Sequence, residues 1–355
     1  MSTNAFHTPP PNGEGEMRAP MDFQSRRMRL NSAWRYAVNH AVTGLAVLST
    51  LLVVAPLVAI LVYLVYMGAS SLNVAFFTHI PAPVGEPGGG MANSILGSGI
   101  VLVLASLLGI PVGIAAGVYL AEFGRGKLLA AAIRFTADVL NGVPSIVMGI
   151  AIYSMLVFPE DFHLWFLYPF RHLLAPLMAL NIPPALQIPM TFSVDATGVW
   201  LHVGGHFSAF AGGVALAIMM VPTITRTTEE MLATVPHAIR EAAQGLGVPK
   251  WRTVMSVSLK TASPGIITGC MLAFARVAGE TAPLLFTAFG NQFWSFRLNE
   301  PIAALPLQIY VYAMSPYDEW HRLAWAGSLV LIVMIMVAVT LVRIYASRGV
   351  LKGAS

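Results

Sequence analysis

Long apolar runs alternate with shorter polar stretches along this chain. A helix needs about 20 apolar residues to cross roughly 30 Å of hydrocarbon. Six runs reach that length: about 41–67, 95–121, 131–157, 207–225, 262–289 and 323–345. They predict an all-α integral membrane protein with six transmembrane helices. Pro56, Pro111, Pro144 and Pro222 fall inside these runs, which membrane helices tolerate where neighbours satisfy the freed carbonyls. Residues 1–40 are polar, with Pro9 to Pro11 and the cluster Arg26, Arg27, Arg29 and Arg35. Such a composition buries too little apolar surface to fold alone, so a disordered or surface-lying tail is expected. The apolar run after it is too long for the core of a signal peptide, and no small-residue cleavage site follows. Segment 158–206 is rich in Pro and aromatics, and Pro176, Pro183 and Pro184 break its apolar piece. It is read as external or interfacial. No repeat of fixed period is visible.

Composition supports lipid as the solvent. Of 355 residues 56% are hydrophobic and 10% charged, against about 25% charged in soluble domains. The single cysteine, Cys270, excludes an intramolecular disulfide and a Cys-based zinc site. Net charge is +4, but its distribution matters more. The tail, the turn 122–127, the loop 226–260 and the stretch after 342 hold 15 of the 20 basic residues, whereas 68–94, 158–206 and 290–322 hold only Arg171, Arg297 and Arg322. The excess of Lys and Arg on one side marks the cytoplasmic face, so both termini, including 346–355, are expected there.

Several chemistries lack their signatures. The string GRGKLL lacks the glycine spacing and the hydroxyl of a P-loop, so ATP hydrolysis would need a partner. Neither HExxH nor GxSxG occurs. His202 and His206 stand four residues apart and would share a face if helical, but with no acidic or Cys ligand evident nearby they are read as surface histidines and no metal is expected. No nucleic-acid footprint is present.

Two places combine polarity with purpose. Within the loop 226–260, Ala233, Ile239, Ala242 and Leu246 fall near helical spacing, Gly245 and Gly247 end the helix, Val248-Pro249 turns the chain, and WRTVMSVSLK leads back toward the membrane. The result is a compact knob whose small residues permit close approach of another surface, with Glu241 as a fixed charge. The second place is Arg276 and Glu280, four residues apart inside the fifth apolar run. A charge at the bilayer centre costs at least about 2.5 kcal/mol. An Arg-before-Glu pair on a helix returns only about 0.2–0.5 kcal/mol, and a buried pair is a poor stability device compared with apolar residues. The pair is therefore expected to face the bundle interior or a water-filled path. Arg134, near the end of the third run, is a further candidate, with Asp138 one turn later as its expected partner.

The knob resembles the EAA loop of ABC-importer permeases: Glu241-Ala242-Ala243, three residues, then Gly247, with Val257-x-Leu259 further on. It departs at Lys260, where that family usually carries proline; Pro264 follows within SPGI. RTTEE (226–230), ARVAGETAPLLFTA (275–288), VPSIVMG (143–149) and YLAEF (119–123) narrow the resemblance to PstA-type permease subunits of phosphate-specific ABC importers. Similarity covers about 95–157 and 207–290; segment 158–206 is longer than the usual connection.

The resemblance implies a type I ABC-importer permease core in a bacterial-type inner membrane. Glu241, Ala242, Ala243 and Gly247 would dock on a cytoplasmic ATPase. The implied partners are a second permease subunit (PstC-like), an ATP-binding dimer (PstB-like) that uses ATP and Mg, and an external phosphate-binding protein (PstS-like), with no cofactor on this chain. The pathway residues would be Arg276, Glu280, Thr281 and Arg134. A guanidinium matches phosphate oxygens bidentately, and conduction requires release as well as capture, so Arg276 would exchange between Glu280 and phosphate. Gly279 permits close backbone approach, and Pro283 disrupts the helix just beyond. The alternatives are the sister permease subunit, a permease for another oxyanion, or a stand-alone channel or secondary transporter; the last often shows repeat symmetry, which is not seen here.

Overall fold

The computed structural model describes residues 26–86, 88–124, 126–158, 160–163, 187–194 and 199–352. The tail before residue 26, the piece of segment 158–206 holding Arg171 and its three prolines, and residues 353–355 lie outside the described residues. The chain divides into two units, Met1–Val62 and Tyr63–Ser355.

The first unit is described through helix α1 (Arg26–Ala69) as far as Val62. Its apolar side chains stay outside: Leu51, Leu52, Val53 and Leu57 are all exposed. A helix apolar on every side is suited to a membrane. The last turns of α1 belong to the second unit, where Tyr63 meets the Trp325 ring edge-on at 5.3 Å.

The second unit begins with α2 (Val74–Thr78) and α3 (Ala92–Val118), the latter prolonged by a π-helical turn, Tyr119–Phe123. Next come α4 (Leu128–Gly142) and α5 (Ser145–Ile152). Strands β1 (Glu160–His163), β2 (Met190–Val194) and β3 (Val199–Val203) follow. Then come α6 (Ala209–Ala233), α7 (His237–Gly245), α8 (Lys250–Thr253), α9 (Leu259–Ala278), α10 (Ala282–Thr287), α11 (Leu305–Ala313) and α12 (Asp318–Lys352). Five of the described helices are long and apolar enough to cross a membrane; α4 and α5, bent by 109° at a short break, make up to a sixth span.

The core is the contact of α3 with α6 and of α6 with α9. Gly109, Gly113 and Gly117 recur at helical spacing on α3, and added Cβ atoms would lie 3.0 Å from Ala217 O, 2.7 Å from Ile224 Cβ and 2.5 Å from Thr228 Cβ. Only glycine lets the two backbones come this close, as small residues do at membrane helix interfaces. Val101, Leu102 and Ala105 pack there with Leu216, Met220 and Ile224, and Ile266, Cys270, Ala273 and Val277 bring in α9. Gly265 faces Met231 and Gly269 faces Thr227, so α9 runs antiparallel to α6.

Three of the apolar runs behave differently from a simple span. The run 131–157 is not one helix: Pro144 has no N–H to donate and pushes Val143 out of the helical region, to φ −72 and ψ 130. The run 207–225 continues as helix to Ala233, so RTTEE lies on α6 and not in a loop. The run 262–289 stops at Ala278, and Pro283 opens α10. Within segment 158–206 there is a small antiparallel sheet in the order β1-β3-β2. Asp161 Oδ1 lies 2.6 Å from His202 Nδ1, and Ser193 Oγ lies 2.8 Å from His202 Nε2. This chain of bonds pins the three strands together. It stands open to water, with His202 and Asp161 side chains 42% and 67% exposed. Because His202 is on a strand, the helical His202–His206 arrangement considered from spacing does not form.

Candidate functional site

A polar ladder joins α4 to α6. Arg134 Nη2 lies 2.8 Å from Glu229 Oε1, Arg226 Nη1 lies 3.0 Å from Asp138 Oδ1, and the Thr223 hydroxyl donates to Asn141 Oδ1 at 3.5 Å. Arg226 Nε also reaches Glu230 Oε1 at 3.3 Å. The rungs fall about one helical turn apart because the two helices run side by side. This corrects the pairing expected from sequence. Arg134 takes Glu229 from the RTTEE string, and Asp138 takes Arg226. A carboxylate across a helix pair reached Arg134 better than one on its own helix. The Arg134–Glu229 side chains are 43% and 25% exposed, so water competes and the pair is worth no more than about 1 kcal/mol.

Arg276 occupies the last turn of α9, not mid-helix as the length of the apolar run suggested. Gly279 caps that helix, with its N–H donating to Val277 O, and the N–H of Glu280 donates to the same carbonyl at 3.1 Å. The helix therefore ends before Glu280, and the i, i+4 geometry that would have brought Glu280 to Arg276 is lost. Among the described residues, the ion pairs formed do not include either side chain. Arg276 is exposed and Glu280 half-buried. Lys260, Pro264, Thr268, Leu272 and Arg276 form one exposed stripe along α9. The Thr281 hydroxyl points to Pro306 O at 3.5 Å.

The knob is α7, a turn, and α8. Its turn is a Schellman motif: Val248 N–H donates to Ala243 O and Gly247 N–H to Gln244 O, at 3.2 and 2.9 Å. The motif requires a left-handed residue, and Gly247 supplies it at φ +80. Glu241 and Ala242 are exposed and Ala243 half-buried; Ile239, Leu246 and Trp251 are exposed apolar side chains on the same knob.

One residue beside the EAA triplet was not singled out from sequence. Arg240 Nη2 lies 2.9 Å from Glu122 Oε1, with the two side chains only 11% and 8% exposed. The approach is a charge contact and not an aligned hydrogen bond, since Glu122 Oε1 accepts none. Arg240 also donates to Leu232 O and Val235 O at 2.6 and 3.1 Å. Lys250 Nζ donates to Glu122 O at 2.8 Å and sits 4.9 Å from the Phe123 ring centre. Glu122 lay in the string YLAEF, and Arg240 immediately precedes the Glu241-Ala242-Ala243 triplet. The available signal was an acid closing one apolar run opposite a base far along the chain.

Comparison with known proteins places this architecture. Residues 109–348 match the family model described as "Binding-protein-dependent transport system inner membrane component". The "Phosphate transport system permease protein PstA" of Yersinia pestis is 40% identical over 321 residues, 90% of this chain and 93% of the relative. The protein of the same name from Xylella fastidiosa is 41% identical over 273 residues, 77% and 80% of the two chains. A solved bacterial ABC transporter involved in import of the acidic polysaccharide alginate matches at TM-score 0.49 and 12% identity, covering 84% of this chain and 95% of that one. The sequences carry the assignment: this chain belongs to the family of binding-protein-dependent transport system inner membrane components, with PstA-type permeases among its relatives.

Proposed function

We propose that this chain is the membrane-spanning permease subunit of an ATP-driven importer of inorganic phosphate. The observation that carries the reading is the 40% identity to a PstA permease over nine-tenths of both chains. The subunit forms half of the pathway and is not itself an enzyme; a partner ATP-binding dimer hydrolyses ATP with Mg. A second permease subunit and an external phosphate-binding protein complete the assembly, and the excess of Lys and Arg in one set of loops supports the reading that both termini face the cytoplasm across a bacterial-type inner membrane.

The knob is the ATPase docking element. Its uncovered Ile239, Leu246 and Trp251 beside the small Ala242 suit a groove on a partner, with Glu241 as a charged contact and Gly247 holding the turn. Arg276 is the phosphate-handling residue. The stripe that holds it also carries Lys260 and Thr268, and cationic side chains are disfavoured against hydrocarbon, so the stripe faces water or another protein surface. Glu280 and Thr281, at the helix break beside it, supply a competing carboxylate and a hydroxyl, and Arg134 is the second cation of this reading. The fork geometry of arginine matters because a lysine is only a point charge.

The test is uptake of labelled phosphate by cells lacking this chain and complemented with wild type, Arg276→Ala or Arg276→Lys. Both variants are expected to reach the membrane at normal levels and to transport at background rates. Normal uptake by both removes Arg276 from the mechanism.

A further inference from the structure

The α7 helix of the knob has no fully buried residue, so the few groups that join it to the membrane helices must transmit any force applied to it. Within α7 every side chain from His237 to Gln244 is exposed except those of Arg240 and Ala243, which are partly covered. Arg240 makes the polar connections. It holds Leu232 O in the last turn of α6, where helix-terminal carbonyls attract a cation, and Val235 O just beyond that helix. Its third contact is Glu122, on the π-helical turn that closes α3. Its Nε lies 3.4 Å from the hydroxyl of buried Ser258, on the π-helical turn leading into α9. Glu122 in turn is held from the other flank of the knob, because its carbonyl accepts from Lys250.

We propose that the largely buried Arg240–Glu122 pair is the joint that converts displacement of the knob into movement of α3, α6 and α9. Both are positioning residues and neither touches substrate. One guanidinium can serve three elements because it carries five donors in a rigid plane, which lysine lacks. Burial shields the pair from salt, so the joint stays stiff under cytoplasmic ionic strength. Beyond it, the glycine contacts of α3 with α6 leave no slack in which a displacement could be lost. This proposal rests on the reading of the knob as the ATPase docking element.

The test uses the full importer, reconstituted in liposomes with the binding protein, and compares Glu122→Gln and Arg240→Lys with wild type. Glu122→Gln keeps the shape and removes the charge; Arg240→Lys keeps the charge and removes the fork. ATP hydrolysis and labelled-phosphate uptake are measured together, and ATPase recovery with the purified chain is measured separately. The expected result is normal ATPase recovery, hydrolysis within about twofold of wild type, and phosphate moved per ATP lowered at least tenfold. An unchanged ratio of phosphate to ATP in both variants overturns the proposal. Loss of the ATPase from both complexes also overturns it, since the pair would then build the docking surface and not transmit through it. Failure of the docking reading is distinct: the wild-type chain itself would then recover no ATPase.

Discussion

Glycine at 247 has one job, which is to hold the left-handed position of the turn between α7 and α8. A residue with a Cβ pays about 1–2 kcal/mol there. Gly247→Val should therefore loosen the knob without disturbing the membrane helices, seen as weaker recovery of the ATPase from a chain whose own melting midpoint in detergent is nearly unchanged. A melting loss as large as that of a core variant would show that the turn supports the whole fold. Glu241 is exposed, whereas its neighbour Arg240 is largely covered and contacts Glu122. Glu241→Lys should reduce ATPase association while the chain still inserts; unchanged co-purification would deny Glu241 a place in docking.

At the scale of elements, two of the interfaces that hold α6 are opposite in character. Its contact with α3 depends on close approach. Gly113→Leu would drive a side chain into Ile224, whose Cβ already lies 2.7 Å from where an added Cβ would stand. Overpacking of this kind costs about 1–3 kcal/mol or more, and the expected result is a lower melting midpoint and poor accumulation in the membrane. Its contact with α4 is a set of solvent-accessible ion pairs. Arg134→Ala should cost at most about 1 kcal/mol, and a double-mutant cycle with Glu229→Gln should return a coupling of that size. A much larger coupling would mean that the ladder is shielded in the assembled protein.

At the scale of the molecule, the described surface has an excess of uncovered apolar groups that lipid alone does not explain. Leu246 and Trp251 are exposed on the polar knob. Cys270 is the chain's only cysteine and is buried, so a new thiol can be followed with little background. Leu246→Cys should react readily with a maleimide in the isolated chain and become protected when the ATPase is bound. Equal labelling in both states would move the docking face elsewhere.

Length and hydropathy were enough to declare a multi-span helical membrane chain, because crossing hydrocarbon imposes a run of apolar residues that no other requirement imposes. The asymmetry of Lys and Arg, the EAA-like string and the absence of a P-loop could likewise be read directly, since each is local in the chain. What the linear pattern left open was every relation between distant segments. Arg134 and Asp138 looked like partners because they share a helix, yet each found a stronger partner on α6 once the two helices lay side by side. Arg276 and Glu280 looked like a pair because they are four residues apart, yet the end of α9 at Gly279 separates them. Arg240 and Glu122, more than a hundred residues apart, looked unrelated and meet in the least exposed ion pair among the described residues. Local composition specifies which solvent a segment prefers; only packing decides which charges share a low-dielectric space, because that depends on distance in three dimensions and not along the chain.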